Sequence, residues 1–89
     1  MNNNQKILIN PISKFLGFRF RKKSNLILLF DLKKETKIGA VVDTLFVFYP
    51  IRVIWLDKNK KIIKTKIMKP FTFVIPKSKA RYIIESFYE

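Results

Sequence analysis

The chain has 89 residues, of which 48% are hydrophobic, and its 19 basic and 6 acidic side chains give a formal charge of +13 at pH 7. A chain of this length suits one small domain and leaves little room for a second domain or an enclosed multi-residue active site. Because it contains neither cysteine nor histidine, disulfides, thiolate nucleophiles, imidazole bases and Cys/His metal sites are excluded.

The hydropathy pattern predicts no membrane span. The longest apolar run, residues 45–51, contains Pro50 and falls far short of the ~20 residues that cross a bilayer. No basic stretch followed by an apolar segment opens the chain as in a secretory signal. We therefore predict a cytoplasmic protein, with a disordered polar start at residues 1–5 and a single domain at residues 6–89.

The first elements in chain order are a strand and a short helix. Residues 6–9 read as a strand that ends at Asn10. Asn10 can cap a helix and Pro11 suits the first helical position, so residues 11–16 predict one short N-terminal helix. Gly17 ends it.

Apolar segments continue at residues 25–32, 37–42 and 45–49, with residues 33–36 as a polar connection. Each of the three is predicted to be a strand. Gly39 within this pattern marks a bulge or a close backbone approach. In residues 45–49 the odd-numbered and the even-numbered positions are both apolar, which predicts a strand covered on both faces.

A hairpin follows Pro50, which turns the chain. Residues 51–56 predict its first strand, and residues 57–60 (DKNK) predict its loop. Asn59 tolerates the left-handed conformation that a tight hairpin needs.

Residues 61–69 (KIIKTKIMK) alternate between two faces of a strand, one facing the core and the other solvated and basic. One face carries Lys64, Lys66 and Met68. The other face carries Ile63, Thr65 and Ile67. We place Lys64 and Lys66 on the solvated face.

The C-terminal part is also rich in β-forming residues. Pro70 and Pro76 bracket residues 71–75, which favours a short or edge strand because neither proline donates to a ladder. Residues 80–88 predict a last strand, with a helical turn near residues 77–85 as the alternative. An exposed edge here predicts a homodimer. The fold class is mostly β (β-rich α+β), a small antiparallel barrel or sandwich with one short N-terminal helix.

Three motifs resemble those of a known family. Residues 49–60 (YPIRVIWLDKNK) are similar to its Phe-rich strand, Pro-Ile-Asp-Val-Ile-Phe-Leu-Asp segment and Lys/Asn/Gly turn. Residues 17–21 (GFRFR) are similar to its Gly-Leu-Met-Phe-Arg, and residues 80–85 (ARYIIE) to its Ala-Arg-Tyr-Val-Leu-Glu. The chain thus resembles the archaeal-like members of the domain-of-unknown-function family one-nine-two. This resemblance implies a fold but no activity, and Arg52 stands where that family has Asp.

Basic residues are the candidate binding residues. Two tracts lack any acid, residues 14–23 and residues 58–81, and the second tract lies on the predicted hairpin and the strands after it. A ridge of lysines along a sheet face is what phosphate neutralisation requires. The alternative is a solvated face that protects a strand edge and suits high temperature. The predicted nucleic-acid-binding residues are Lys58, Lys60, Lys61, Lys64, Lys66, Lys69, Lys77, Lys79 and Arg81.

Aromatic residues interleave with these charges, notably at Phe18, Phe20, Phe71 and Phe73. If exposed, they would be stacking platforms for single-stranded bases. Core packing is the favoured alternative, because a domain this small needs most of its nine Phe, three Tyr and one Trp inside. The predicted core set includes Trp55, Phe46 and Phe48.

Catalysis is not indicated by the six carboxylates. Asp57 and Glu35 fall in predicted turns and Glu89 is terminal. Only Asp31, Asp43 and Glu85 are left to converge in a cleft, as acid/base or metal chemistry would require.

We therefore predict a non-catalytic binding module without a cofactor or metal. Its partner is nucleic acid or a ribonucleoprotein, attracted by the positive field. The first alternative is a protein-interaction or scaffold domain. The second is an enzyme acting on a polyanionic or sugar substrate.

Overall fold

Seven β-strands make up the regular structure of the computed structural model, which describes residues 5–8, Phe18 and 26–88. In chain order they are β1 Gln5–Leu8, β2 Ile27–Thr36, β3 Val42–Asp43, β4 Ile51–Leu56, β5 Ile62–Met68, β6 Phe73–Val74 and β7 Ala80–Phe87. The β-rich fold class predicted from the sequence is confirmed. The predicted helix at residues 11–16 lies outside the described residues, as do residues 1–4. In the part of the chain that is described, no helix has the length and hydropathy to cross a bilayer.

The strands form two sheets. The larger has the order β1-β2-β7-β4-β5, and β3 pairs with β6 in the smaller. Every pair is antiparallel except β1 with β2. Among the described strands β1 and β5 are the two edges of the larger sheet, so this sheet does not close into a barrel within the described residues.

One face of the larger sheet carries the core. Residues directly opposite one another in an antiparallel pair point to the same face, and Trp55 of β4 lies opposite Ile83 of β7. Both side chains are fully buried. The Trp55 indole Nε1–H donates to the carbonyl oxygen of Ala40 at 2.7 Å, which satisfies the one polar group of this large side chain. The core consists of Phe18, Leu28, Phe30, Ala40, Val42, Val47, Ile51, Val53, Trp55, Met68, Ala80, Ile83 and Phe87.

An irregularity in the β4–β5 pair decides which face the β5 lysines occupy. Trp55 pairs with Lys64, whereas Leu56 pairs with Ile62, so Ile63 is an extra residue in the manner of a β-bulge. Lys64 and its even-numbered neighbours therefore share the face of Trp55. The prediction that Lys64 and Lys66 lie on the solvated face is wrong, since they lie on the core side of an edge strand.

The hairpin itself forms as predicted, with β4 and β5 on either side of a loop at residues 57–60. The residue with a left-handed backbone is Lys60, whose φ is 64°, and not Asn59. The short strand predicted between Pro70 and Pro76 is also present as β6 and pairs only with β3.

Residues 33–42 depart from the prediction. β2 continues through the predicted polar connection to Thr36, which pairs with Ala80. The predicted strand at residues 37–42 is mostly a turn, in which the Gly39 N–H donates to the Thr36 hydroxyl at 3.0 Å. A Cβ on Gly39 would lie 2.7 Å from Thr36 Cγ2. Gly39 therefore lies in a turn and not in a strand bulge, and what approaches it closely is the Thr36 side chain and not another backbone segment.

The predicted buried strand at residues 45–49 is wrong. The Val47 N–H donates to the Thr44 carbonyl oxygen at 3.0 Å, so the chain turns here instead of extending. Val47 alone of these five residues is buried. An apolar run alone does not show whether the chain forms a strand or a turn, because hydrogen bonds from another segment of the chain can stabilise a turn there.

The last strand, β7, lies between β2 and β4 in the larger sheet. Its backbone groups are paired on both sides, and its Phe87 is buried. The exposed edge predicted at residues 80–88 does not exist. A homodimer through this strand consequently loses its structural basis.

Candidate nucleic-acid interface

The β4–β5 loop presents three lysines around a single organising carboxylate. Asp57 Oδ1 accepts hydrogen bonds from the Asn59 N–H at 2.8 Å and the Lys61 N–H at 3.0 Å. The Lys60 N–H donates to the Asp57 carbonyl oxygen at 2.9 Å. Asp57 thus holds the loop, and the side chains of Lys58, Lys60 and Lys61 are exposed.

Edge strand β5 continues this positive surface. Lys64 and Lys66 both lie on the core side of β5, but β5 has no partner strand on its outer edge in the described chain. At this edge Lys66 is exposed and Lys64 is half-buried. Their aliphatic stems can lie against the sheet while the ammonium groups reach solvent. Lys69 follows immediately after β5 and is exposed.

The connection from β6 to β7 brings two further lysines to the same edge. Lys77 and Lys79 are both exposed. A cavity of about 100 Å³ separates this connection from β5, and its lining is Ile63, Lys64, Pro76, Lys77 and Ser78. We call the eight lysines the basic edge: Lys58, Lys60, Lys61, Lys64, Lys66, Lys69, Lys77 and Lys79.

Arg81, the ninth predicted binding residue, differs from these lysines because its charge is compensated. Its Nε donates to Asp31 Oδ1 at 2.6 Å and its Nη2 to Asp31 Oδ2 at 3.2 Å. The hydrogen bond from Arg81 holds the pKa of the Asp31 carboxyl below its ordinary value. Arg81 also lies over the ring of Tyr82, 5.0 Å from its centroid. The structure therefore separates Arg81 from the basic edge.

Of the other described carboxylates, Glu35 and Asp43 accept hydrogen bonds from backbone N–H groups, and Glu35 does so within the basic edge. Glu35 Oε2 accepts a hydrogen bond from the Lys58 backbone N–H at 3.0 Å, and Asp43 Oδ1 accepts one from the Leu45 N–H at 3.1 Å. Glu85 is buried on the core face of β7. Among the described residues, no three acidic side chains come close enough together to hold a metal ion.

A second surface feature contradicts the core packing that the sequence analysis favoured for most aromatic residues, since Phe71 and Phe73 are both exposed. Phe46, Phe48 and Phe71 form an aromatic cluster, in which the Phe71 ring makes edge contacts with Phe46 at 6.0 Å and Phe48 at 5.6 Å between centroids. Their exposed fractions are 48%, 52% and 51%. The assignment of Phe46 and Phe48 to the core is wrong, whereas Trp55 is buried as predicted.

Two members of the aromatic cluster have strained backbones. Phe46 has φ = 62° and Phe71 has φ = 59°, a left-handed conformation that is rare for bulky side chains. Each such residue costs about 1–3 kcal/mol and persists only because its surroundings enforce the conformation. The local sequence signal for one of these turns is Thr72, whose hydroxyl donates to the Lys69 carbonyl oxygen three residues before it.

Arg52 and the N-terminal tract complete the predicted basic positions. Arg52 is exposed and lies 5.4 Å from the centroid of the Tyr88 ring. Phe18 is buried in the core, so it is not a stacking platform. Except for Phe18, residues 14–23 lie outside the described residues.

Proteins with similar sequences are named UPF0127 proteins. The chain belongs to the UPF0127 family. It is 43% identical over 76 residues to a UPF0127 protein of Pyrococcus furiosus, covering 85% of this chain and 65% of that protein. It is 32% identical over 80 residues to one of Pyrococcus abyssi, covering 90% and 68% respectively. The chain thus spans about two thirds of the length of these relatives.

The solved structures give the same fold. A protein of unknown function from Novosphingobium aromaticivorans superimposes with a TM-score of 0.84 at 10% identity, covering 93% of this chain and 61% of that one. No protein-family model matches the chain. The expectation of an uncharacterised family is confirmed by the UPF0127 relatives.

Proposed function

We propose that the chain is a non-catalytic module that binds nucleic acid, free or within a ribonucleoprotein, through the basic edge. The observation that carries this proposal is the separation of charge. No Asp or Glu occurs from Lys58 to Ile84 in the sequence. In the described part of this segment, Arg81 forms an ion pair with the Asp31 carboxylate. The charges of the eight lysines remain available to an external anion.

The position of the lysines favours a phosphate backbone over a small ligand. They extend from the hairpin loop along an edge strand to the β6–β7 connection, and seven of the eight are exposed. An extended row of cations matches a polyanion, which gains affinity from the release of its condensed counterions. Such contacts carry no information on base sequence, so binding is expected to be largely sequence-nonspecific.

The test is a salt titration of affinity, measured by fluorescence anisotropy with a labelled single strand and the corresponding duplex. Each phosphate contact contributes roughly 0.9 to the slope of log affinity against log salt on duplex DNA. The variant Lys61→Gln/Lys66→Gln should weaken binding on all sequences and reduce this slope by about 1.8. Both positions are exposed, so the fold should tolerate them.

A matched control removes the same charge elsewhere. Lys34 and Lys37 are exposed and precede the basic edge in the chain, and Lys34→Gln/Lys37→Gln lowers the net charge equally. This variant should keep most of the wild-type slope. Equal losses in both double variants would mean that net charge alone attracts the ligand, and the absence of any salt-dependent binding by the wild type would overturn the proposal.

The aromatic cluster supports a second candidate function, a protein-interaction or scaffold role. Exposed, rigidly held phenylalanines are enriched where proteins contact one another. A pull-down from cell extract with and without nuclease separates the candidates. Partners that need Phe71 and survive nuclease favour this role, whereas partners lost with nuclease and with Lys61→Gln/Lys66→Gln favour nucleic acid.

Two finer assignments belong to the same proposal. The motifs at residues 49–60 and 80–85 support membership of the domain-of-unknown-function family one-nine-two. A nucleic-acid ligand supports a location in the cytoplasm, where fractionation of the native cells would find the protein.

A further inference from the structure

The cavity beside β5 is a pocket open to solvent on one side, and both apolar and polar residues line it. Ile63 and Pro76 form the apolar part, and Pro76 is fully buried. Lys64, Lys77 and Ser78 supply the polar part. Its volume of about 100 Å³ is far above the ~10–15 Å³ that one ordered water needs, and it is too small for a nucleoside.

The polar groups in this lining are all suited to an anion. Two ammonium groups supply charge and three rotatable donors each, and a hydroxyl supplies one further donor. No carboxylate lines the cavity. The described carboxylates interact elsewhere, as with Asp31 and Arg81.

Lys64 has a particular reason to bind an anion. It is the one half-buried lysine of the basic edge, and it stands opposite the fully buried Trp55 on the core side of the sheet. A charge near a protein surface attracts a nearby anion more strongly than a charge in bulk water does, because the effective dielectric constant is lower there.

We propose that this cavity binds one phosphate group. Lys64 and Lys77 neutralise its charge, Ser78 donates a hydrogen bond to one oxygen, and Pro76 fixes the β6–β7 connection around it. This inference rests on the proposed function in one respect, because it takes the phosphate to be a backbone phosphate of the bound nucleic acid. The bulge at Ile63 contributes by placing Lys64, and not Ile63, opposite Trp55.

The probe is inorganic phosphate, followed by ¹H–¹⁵N spectra of the full chain at constant ionic strength with chloride as the reference. The amides of the cavity residues should shift and saturate with phosphate. The variant Lys64→Gln/Lys77→Gln should weaken this binding at least tenfold. The control Lys34→Gln/Lys37→Gln, which removes the same charge at exposed positions outside the basic edge, should stay within twofold of wild type.

The same spectra report whether each variant is folded, and the single variant Lys77→Gln at an exposed position serves if the double variant is not. Shifts of equal size at Lys58, Lys60 and Lys79 would show diffuse ion screening and overturn the inference. An unchanged response of the folded Lys77→Gln variant would overturn it as well.

Oligonucleotide binding in the same samples keeps the two proposals apart. If inorganic phosphate competes with a labelled oligonucleotide and both bindings are lost in Lys64→Gln/Lys77→Gln, the cavity holds a backbone phosphate. If phosphate binds at the cavity while the wild type has no salt-dependent affinity for oligonucleotides, the subsite stands as a free-phosphate site and the proposed function fails. If oligonucleotides bind but phosphate shifts are not localised, the inference fails and the proposed function stands.

Discussion

Thr44 and Thr72 are joined by reciprocal hydrogen bonds that hold the two turns of the aromatic cluster together. The Thr44 backbone N–H donates to the Thr72 carbonyl oxygen at 2.7 Å, and the Thr72 N–H donates to the Thr44 hydroxyl oxygen at 2.8 Å. The Thr44 hydroxyl in turn donates to the Lys69 carbonyl oxygen at 2.7 Å. These bonds continue the β3–β6 ladder and help to enforce the left-handed backbones at Phe46 and Phe71.

Replacing Thr44 with Val should destabilise the protein by about 1–3 kcal/mol, because it removes the hydroxyl that accepts from the Thr72 N–H and leaves that donor without its acceptor. Urea unfolding followed by Trp55 fluorescence measures this. The control is Thr72→Val, which removes an exposed hydroxyl bonded to the Lys69 carbonyl oxygen and should cost less than about 1 kcal/mol. Equal losses in the two variants would contradict the assigned role of Thr44.

The Asp31–Arg81 pair predicts an acid dependence of stability. The hydrogen bond from Arg81 lowers the folded-state pKa of Asp31 below the ordinary value of 3.8. A depressed folded pKa contributes stability that is present above the unfolded pKa and is lost as pH falls through the folded pKa. The free energy of unfolding should therefore decline below about pH 4, and the decline should be smaller in Asp31→Asn.

Urea unfolding at intervals from pH 6 to pH 2 gives the two curves, and the difference between them isolates the Asp31 contribution from that of other acids. Arg81→Gln should remove the same contribution, and the double variant should add nothing further. Parallel curves for wild type and Asp31→Asn would show that the pair does not couple to folding.

Phe71→Asn tests the backbone strain. Asn adopts the left-handed conformation more readily than Phe, so relief of about 1 kcal/mol should offset the lost ring contacts. The stability should change by less than about 0.5 kcal/mol. The control Phe73→Asn alters a residue of β6 that is 68% exposed and has no strain to relieve, and it should cost up to about 1 kcal/mol of strand propensity. A larger loss at Phe71 than at Phe73 would mean that strain is not the dominant effect.

The edge strand β5 should be prevented from self-pairing by its lysines. Lys64→Val/Lys66→Val turns this strand into an uninterrupted β-forming segment, and such an edge pairs with other chains. Light scattering at increasing concentration should detect association that the wild type lacks. The matched variant Lys58→Val/Lys60→Val changes the hairpin loop and should not associate. If the Lys64→Val/Lys66→Val variant stays strictly monomeric, a feature other than these lysines prevents β5 from pairing with other chains.

Local signals predicted the hairpin well. Strand β4, the loop at residues 57–60 and strand β5 each follow from short-range alternation and turn chemistry. The faces of β5 could not be predicted, because the extra residue at Ile63 inverts them and a bulge leaves little trace in an alternating sequence.

Long-range partners account for the other differences. Residues 45–49 turn because Thr44 bonds to Thr72, 28 positions away, and an apolar pattern carries no information on that partner. The lysines of the basic edge were predictable from charge alone. Arg81 belonged to the same pattern, but its partner Asp31 lies 50 positions away, so its neutralisation could not be predicted.

The central place of β7 determines the order in which the sheet can assemble. Strands β2 and β4 both hydrogen-bond to β7 and not to each other, although both precede it in the chain. During synthesis the β4–β5 hairpin can form alone, but β2 has no antiparallel neighbour until residues 80–87 leave the ribosome. Folding therefore waits for the slow closure of a long loop. A nascent chain held before Ala80 leaves one edge of β2 and one edge of β4 without a neighbour, and unpaired strand edges of this kind are prone to aggregation.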